Sequence, residues 1–274
     1  MNHELTCDQM EDVLTRCGTA VAFSVRGLQA HEREMVDEAC ALIVDELPEV
    51  SVGLDGVTFG ADASDGRAVR PTERANVGRS RRITINAAFF ASASRGERAA
   101  VILHELFHVL HCDMYNHVLR GRRQQISNWC SDAEINDTIR DLHDSGMTPS
   151  IYLPDDVIHA DSLEETFPIL TELRLPTGLG ADDYYERIAV ETMRYLEAER
   201  DAGRWTGSTV VADHVTDLSP EDDVWHHYHA ATMARSAIQA KILEPGSRWL
   251  GSATLLERWA SRPRFTADSV ALAA

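Results

Sequence analysis

Apolar positions recur at helical spacing in three stretches of the chain. In the first, Val36, Ala39, Ile43 and Leu47 share one face of a predicted helix over Leu28–Leu47, which Pro48 stops. In the second, Ala99–Leu103 is an unbroken apolar run that Leu106, Phe107, Val109 and Leu110 extend. Just upstream, Ser94-Arg95-Gly96-Glu97 has the form of a capping box that starts this helix. A helix apolar on nearly every side is expected to be buried. The third stretch, Asn128–His143, carries the stripe Ile135, Ile139, Leu142 and ends near Gly146.

Strand patterns are fewer. Arg82-Ile83-Thr84-Ile85-Asn86 alternates polar and apolar residues like a half-buried strand. Asp55-Gly56, inside Val50–Phe59, is a two-residue hairpin signal. Residues 61–80 read as a loop holding Arg67, Arg70, Arg74 and Arg79, either solvated or set to grip an acidic substrate. Further helices are expected near Asp182–Ala202, after the cap Ser219-Pro220-Glu221, and over Ala253–Ser261. The pattern predicts an α+β fold, predominantly helical, with a small mixed sheet. Residues 1–80 form an N-terminal helix and hairpin region of that fold, 81–145 its core, 146–265 a helical region that completes it, and 266–274 a flexible tail.

The second helix contains His104-Glu105-Leu106-Phe107-His108, an H-E-x-x-H sequence. Residues four apart on a helix lie one turn apart on the same face, so His104 and His108 can aim two imidazoles at one metal ion. Glu105 lies beside them, within reach of a water on that metal. The competing reading is a core helix whose histidines are satisfied by hydrogen bonds alone. Two histidines and a carboxylate inside so apolar a helix favour the metal, because burying them uncompensated is costly. The arrangement predicts a zincin-like core, with the sheet packed beside this active-site helix. The strand over residues 82–86 would offer its edge to an extended peptide.

A catalytic zinc needs a third protein ligand. His111 is seven residues beyond His104, roughly 10 Å away along a straight helix, too far to share the ion. The metzincin arrangement breaks the helix with a glycine and adds a later histidine; those positions are His111 and Met114 here. On the third helix, stepping back along the stripe reaches Asn136 and Asp132, two polar residues where core residues are expected. An inward carboxylate usually has a cation. Asp132 is therefore the expected third ligand, and Glu134, on a different face, the alternative. Trp225-His226-His227-Tyr228-His229 could make a second metal site but reads more simply as a half-exposed helical face.

Composition narrows the setting. A formal net charge of −18 over 274 residues argues against nonspecific binding to nucleic acid or to an anionic membrane. Lys241 is the single lysine among 26 basic residues. No apolar stretch resembles a signal peptide or a membrane span. Cys7, Cys17, Cys40, Cys112 and Cys130 are irregularly spaced, as free thiols of a reducing cytoplasm would be. Cys112 and Cys130 lie near the proposed ligands, where a thiol ligand or redox role competes with ordinary burial.

These motifs together resemble the putative metallopeptidase domain family, often fused to a von Willebrand factor A-like domain and encoded beside MoxR-type AAA+ ATPases. The similarity runs from about Ile83 to Leu255. It rests on Ile85-Asn86, the H-E-x-x-H helix, the His117-x-x-Arg120 pair, and the sequence Asn128, Cys130 (alanine in the family), Asp132, Ile135, Asn136. Tyr184-Tyr185-Glu186 and a helix led by Trp225 match later motifs. The family's von Willebrand-type domain would follow the present stretch. Gluzincins, similar in this respect, take a Glu ligand from a second helix with an acidic residue four positions on; Asp132 and Asn136 repeat that spacing. The resemblance implies Tyr185 as the group that stabilises the oxyanion, among Tyr184, His159, His214 and His229.

The expected activity is zinc-dependent hydrolysis of peptide bonds, with Zn2+ on His104, His108 and Asp132 and with Glu105 as general base. The expected partner is a peptide or protein substrate. The other reading is a metal-containing adaptor that works with an AAA+ ATPase, with structural zinc and little proteolysis.

Overall fold

The computed structural model describes residues 25–62, 75–77, 82–111, 124–155, 157, 159, 179–188 and 233–251. In order these form β1 (Val25–Arg26), α1 (Ala30–Glu46), a 3-10 turn (Ser51–Leu54), β2 (Thr58–Asp62), β3 (Ala75–Val77), β4 (Arg82–Ile85), α2 (Ala87–Ser92), α3 (Arg95–His111) and α4 (Gln124–Asp144). Helices α5 (181–188) and α6 (233–242) follow, then a 3-10 turn at Arg248–Gly251. The described residues are mostly helical, with one small sheet.

The chain divides into two compact units. One comprises residues 23–115, 138–157 and 219–274; the other comprises residues 1–22, 116–137 and 158–218.

The first unit holds the sheet, whose strand order is β1-β2-β4-β3. β2 and β4 are parallel, pairing Thr58 with Arg82 through Ala61 with Ile85. β1 lies antiparallel on β2, and β3 antiparallel on β4. The expected strand over 82–86 is therefore present, but it is central. Ile83, Thr84 and Ile85 are all buried, and both edges of β4 are taken. The edge proposed for a peptide thus lies one strand further out, on β3. β3 also corrects the reading of 61–80 as a loop, since Ala75–Val77 pairs residue for residue with β4. The hairpin at Asp55-Gly56 is absent. A turn is there, with Gly56 at φ 76°, but a 3-10 helix precedes it and β2 pairs with β1 and β4 instead.

α1 begins at Ala30, where the Glu32 carboxylate accepts a hydrogen bond from the Gln29 amide at 2.7 Å. Arg26 grips the same carboxylate through both guanidinium nitrogens, at 2.5 and 2.6 Å. Val36, Ala39, Ile43 and Leu47 are buried as the spacing predicts. α1 packs along α3, which also lies against β3 and the first 3-10 turn. Gly53 makes that turn's approach possible: a Cβ there would meet Leu106 and Leu110 side chains at 3.2 Å.

In the second unit, α5 packs on the first part of α4. Cys130, Ala133, Ala181, Tyr184 and Ile188 form a buried apolar cluster, flanked by Trp129, Leu179 and Tyr185. Cys40 is a free thiol. Cys130 belongs to this core, the ordinary role for a buried cysteine. The predicted helices after Ser219 and over Ala253–Ser261, the Arg67–Arg79 cluster apart from β3, the His117–Arg120 pair and the Trp225–His229 run fall outside the described residues.

Candidate metal centre

α3 starts where the sequence says it should. Ser94 and Glu97 make the reciprocal capping pair, with Ser94 Oγ accepting from the Glu97 amide at 3.2 Å and the Glu97 carboxylate accepting from the Ser94 amide at 2.7 Å. From Ala99 onward every residue to His111 is buried except His104, which is half-buried. The helix is held by apolar packing all round, so the directions of its few polar side chains are set by the fold.

His104 and His108 face each other across one helical turn. Their Nε2 atoms are 3.0 Å apart and their rings stand edge to face with centroids 4.7 Å apart. Asp132 supplies a carboxylate oxygen, and one ligand atom from each of the three residues lies within 4.8 Å of the other two. Donors arranged tetrahedrally around zinc at about 2.0–2.1 Å stand roughly 3.4 Å from one another. The two imidazole nitrogens, 3.0 Å apart, stand a little inside that value, and all three ligand atoms lie within 4.8 Å of one another. The donor chemistry fits as well. At most one N–H can lie between two converging Nε2 atoms, whereas a divalent cation accepts both lone pairs and offsets the carboxylate charge. His104 and Asp132 are half-buried and His108 is buried.

Glu105 is buried beside His104 on α3. His111 is not part of that group, and its ring is stacked on Phe107 with centroids 6.1 Å apart and planes 11° apart. Asn136, one turn beyond Asp132, is buried. Glu134, the alternative ligand, is engaged elsewhere: its carboxylate accepts from the Ala181 amide at 2.6 Å.

Tyr185 lies on α5, half-buried against the apolar cluster. Two other candidates for oxyanion stabilisation converge on a residue that the sequence did not single out. The buried Asp137 carboxylate accepts from the Tyr184 hydroxyl at 3.4 Å and sits 3.3 Å from His159 Nδ1. The Tyr184 hydroxyl also accepts from the Leu179 amide at 3.2 Å. Cys130, Ala133, Glu134 and Asp137 thus form one i, i+3, i+4, i+7 stripe facing α5, in which two members are charged. A stripe search that counts only apolar residues passes over them. His214 and His229 fall outside the described residues. Asn86, matched to the family through its strand ending, caps α2 by accepting from the Phe89 amide at 3.1 Å.

A family model described as "putative metallopeptidase domain" matches residues 59–239. The match starts at β2 and so takes in the whole of β3 and β4 together with α3 and α4. No curated protein and no solved structure matches the chain significantly. With more than half of its 274 residues covered, and with two histidines and an aspartate converging from its central helices, the chain belongs to the putative metallopeptidase domain family.

Proposed function

We propose that this protein is a zinc-dependent metallopeptidase with a zincin-like core, its metal held by His104, His108 and Asp132. The observation that carries the proposal is the convergence of those three ligand atoms on the helix that also presents Glu105. Zinc bound there would lower the pKa of a water molecule to about 7 and polarise the scissile carbonyl. Glu105 accepts a proton from the attacking water and returns it to the leaving amine, a general acid–base role worth about 10²–10⁴-fold in rate. His104 and His108 would hold the ion through ring nitrogens, and the Asp132 carboxylate would offset part of its charge. Tyr185 is proposed to donate to the oxyanion.

An extended peptide fits the sheet at β3, the antiparallel edge against which α3 packs. Among the described residues no strand lies beyond β3, and main-chain pairing there would hold a substrate with little regard to its side chains. The free thiol of Cys40 accords with a cytoplasmic setting, and no described helix is long and apolar enough to cross a membrane.

The test is metal analysis of purified protein together with cleavage of a peptide library by wild type and Glu105→Gln. The expected outcome is about one zinc per chain in both proteins, and a loss of hydrolysis of a hundredfold or more in the variant. Zinc in both with cleavage in neither would replace the peptidase with an adaptor of structural zinc, acting alongside an AAA+ ATPase.

A further inference from the structure

The last described segment is fastened back onto α1 and onto the turn after α4 through Arg248. The first unit is assembled from three separate stretches, residues 23–115, 138–157 and 219–274. Arg248, from the third, reaches both of the others. Its guanidinium donates to the Met147 carbonyl at 3.0 Å, to the Glu46 carbonyl at the end of α1, and to the Glu49 carboxylate at 3.3 Å. The Glu46 carbonyl is one that a helix end leaves without an intrahelical partner, and the helix dipole favours a cation there. All of these contacts lie within the first unit.

What Arg248 holds down buries little apolar surface. On α6 the buried residues are Ile238 and Ile242, and between 243 and 249 the buried residue is Trp249. Met233 and Leu243 are 72% and 56% exposed. After α6 the chain turns at Gly246, whose φ is 87°, with the Ser247 amide donating to the Glu244 carbonyl at 3.0 Å. The parts beneath are seated more firmly. The Ser150 amide donates to both oxygens of the Glu46 carboxylate, at 3.1 and 3.2 Å. The chain after α4 passes so close over the start of α3 that a Cβ on Gly96 would stand 2.5 Å from Tyr152 Cε1. α3 itself is buried from Ala99 to His111 at every residue but His104. A segment with few buried apolar residues opens at a lower free energy than the core it rests on.

We propose that residues 233–251 are a strap: a piece of the first unit, fastened by Arg248, that opens and closes while α1 and α3 stay folded. Closed, it caps the end of α1 and ties Met147 to Glu46 through one guanidinium. Open, it returns both carbonyls to water and bares Ile238, Ile242 and Trp249, an apolar set that the closed state keeps covered. The fastening lies beyond residue 239, where the family match ends, and it uses none of the proposed metal ligands.

The sequence supplies its own probe. Lys241, exposed on α6, is the only lysine in the chain, so lysyl endopeptidase can cut this protein at one peptide bond, and that bond lies in the strap. A helical segment must open before it is cut, and where reclosing is fast the rate follows the population of the open form. The experiment treats whole-chain wild type, Arg248→Ala and Arg248→Gln with the protease, in buffer and in urea below the unfolding transition. Lys241→Arg, which should stay uncut, checks the site, and circular dichroism follows global unfolding in parallel. Local opening exposes little surface, so the wild-type cutting rate should rise with urea at about a third or less of the slope for global unfolding. Arg248→Ala should be cut about tenfold faster or more, the scale of one hydrogen bond from a charged donor, with the same shallow slope. Arg248→Gln keeps bulk and a donor without the charge and should also be cut faster than wild type; it decides alone if Arg248→Ala does not fold. Cutting that tracks global unfolding at full slope overturns the strap, and so does a wild-type cutting rate in a folded Arg248 variant.

Discussion

The carboxylate of Glu134 accepts a hydrogen bond from the backbone amide of Ala181 at 2.6 Å, at the start of α5. Both groups are buried, and a carboxylate at a helix N-terminus is favoured by the exposed amides and the helix dipole. Glu134 stands two residues from Asp132 on α4, and its task is a different one. Glu134→Ala is expected to lower stability by about 1–3 kcal/mol, the cost of leaving a buried donor unsatisfied, and to keep its metal. Asp132→Ala is expected to lose it. Denaturant melts paired with metal analysis check both. Zinc lost from a folded Glu134→Ala, and retained in Asp132→Ala, would exchange their roles.

Metal should also be part of the fold's stability. His108 is buried and converges with His104 and Asp132, so an ion there stabilises the folded chain over the unfolded one by mass action. Chelation should lower the melting temperature by several degrees. His111→Ala, which removes a ring stacked on Phe107, should keep full zinc and a chelator-sensitive melt. An unchanged midpoint in protein verified to be metal-free would speak against the site.

The Arg26–Glu32 pair makes a pH prediction. The Arg26 hydrogen bonds, opposed by desolvation and aided by the Gln29 amide, hold the Glu32 carboxyl down to about 2 from its ordinary 4.5. A carboxyl with a lowered folded-state pKa contributes stability above its unfolded pKa and loses it as the pH falls through the folded value. The pair should therefore contribute about 2 kcal/mol above pH 5, falling away between about pH 4.5 and 2. Glu32→Gln should flatten that part of the stability profile. A wild-type and a variant curve that stay parallel from pH 6 to 3 would contradict the assignment.

Burial, with Asp37 nearby, pushes the Cys40 thiol up to about 11. Little thiolate is present at pH 8, so alkylation of Cys40 in the folded protein should be about a hundredfold slower than that of a free thiol. Peptide mapping after timed iodoacetamide treatment measures the rate, and denaturant should restore ordinary reactivity. Rapid labelling under native conditions would mean that α1 opens readily at this point.

What the sequence determined by itself was mostly local. The start of α3 follows from Ser94 and Glu97 because a capping box is satisfied within four residues. The buried faces of α1 and of the last part of α4 follow from periodicity, and the pairing of His104 with His108 from the pitch of one helix. β3 was not legible, because three residues in a polar, arginine-rich stretch become a strand only through the hydrogen bonds β4 offers them. Asp55-Gly56 made its turn, but whether a turn joins two paired strands depends on which distant strand each flank meets. The close pass at Gly96 depended on a segment some fifty residues later in the chain. Helical spacing separated Asp132 from Glu134 by direction, since residues two apart point about 200° away from each other. Only tertiary packing decided which direction held two imidazole nitrogens and which held a helix N-terminus, because a carboxylate serves a cation and a backbone amide equally well until the fold sets one of them before it.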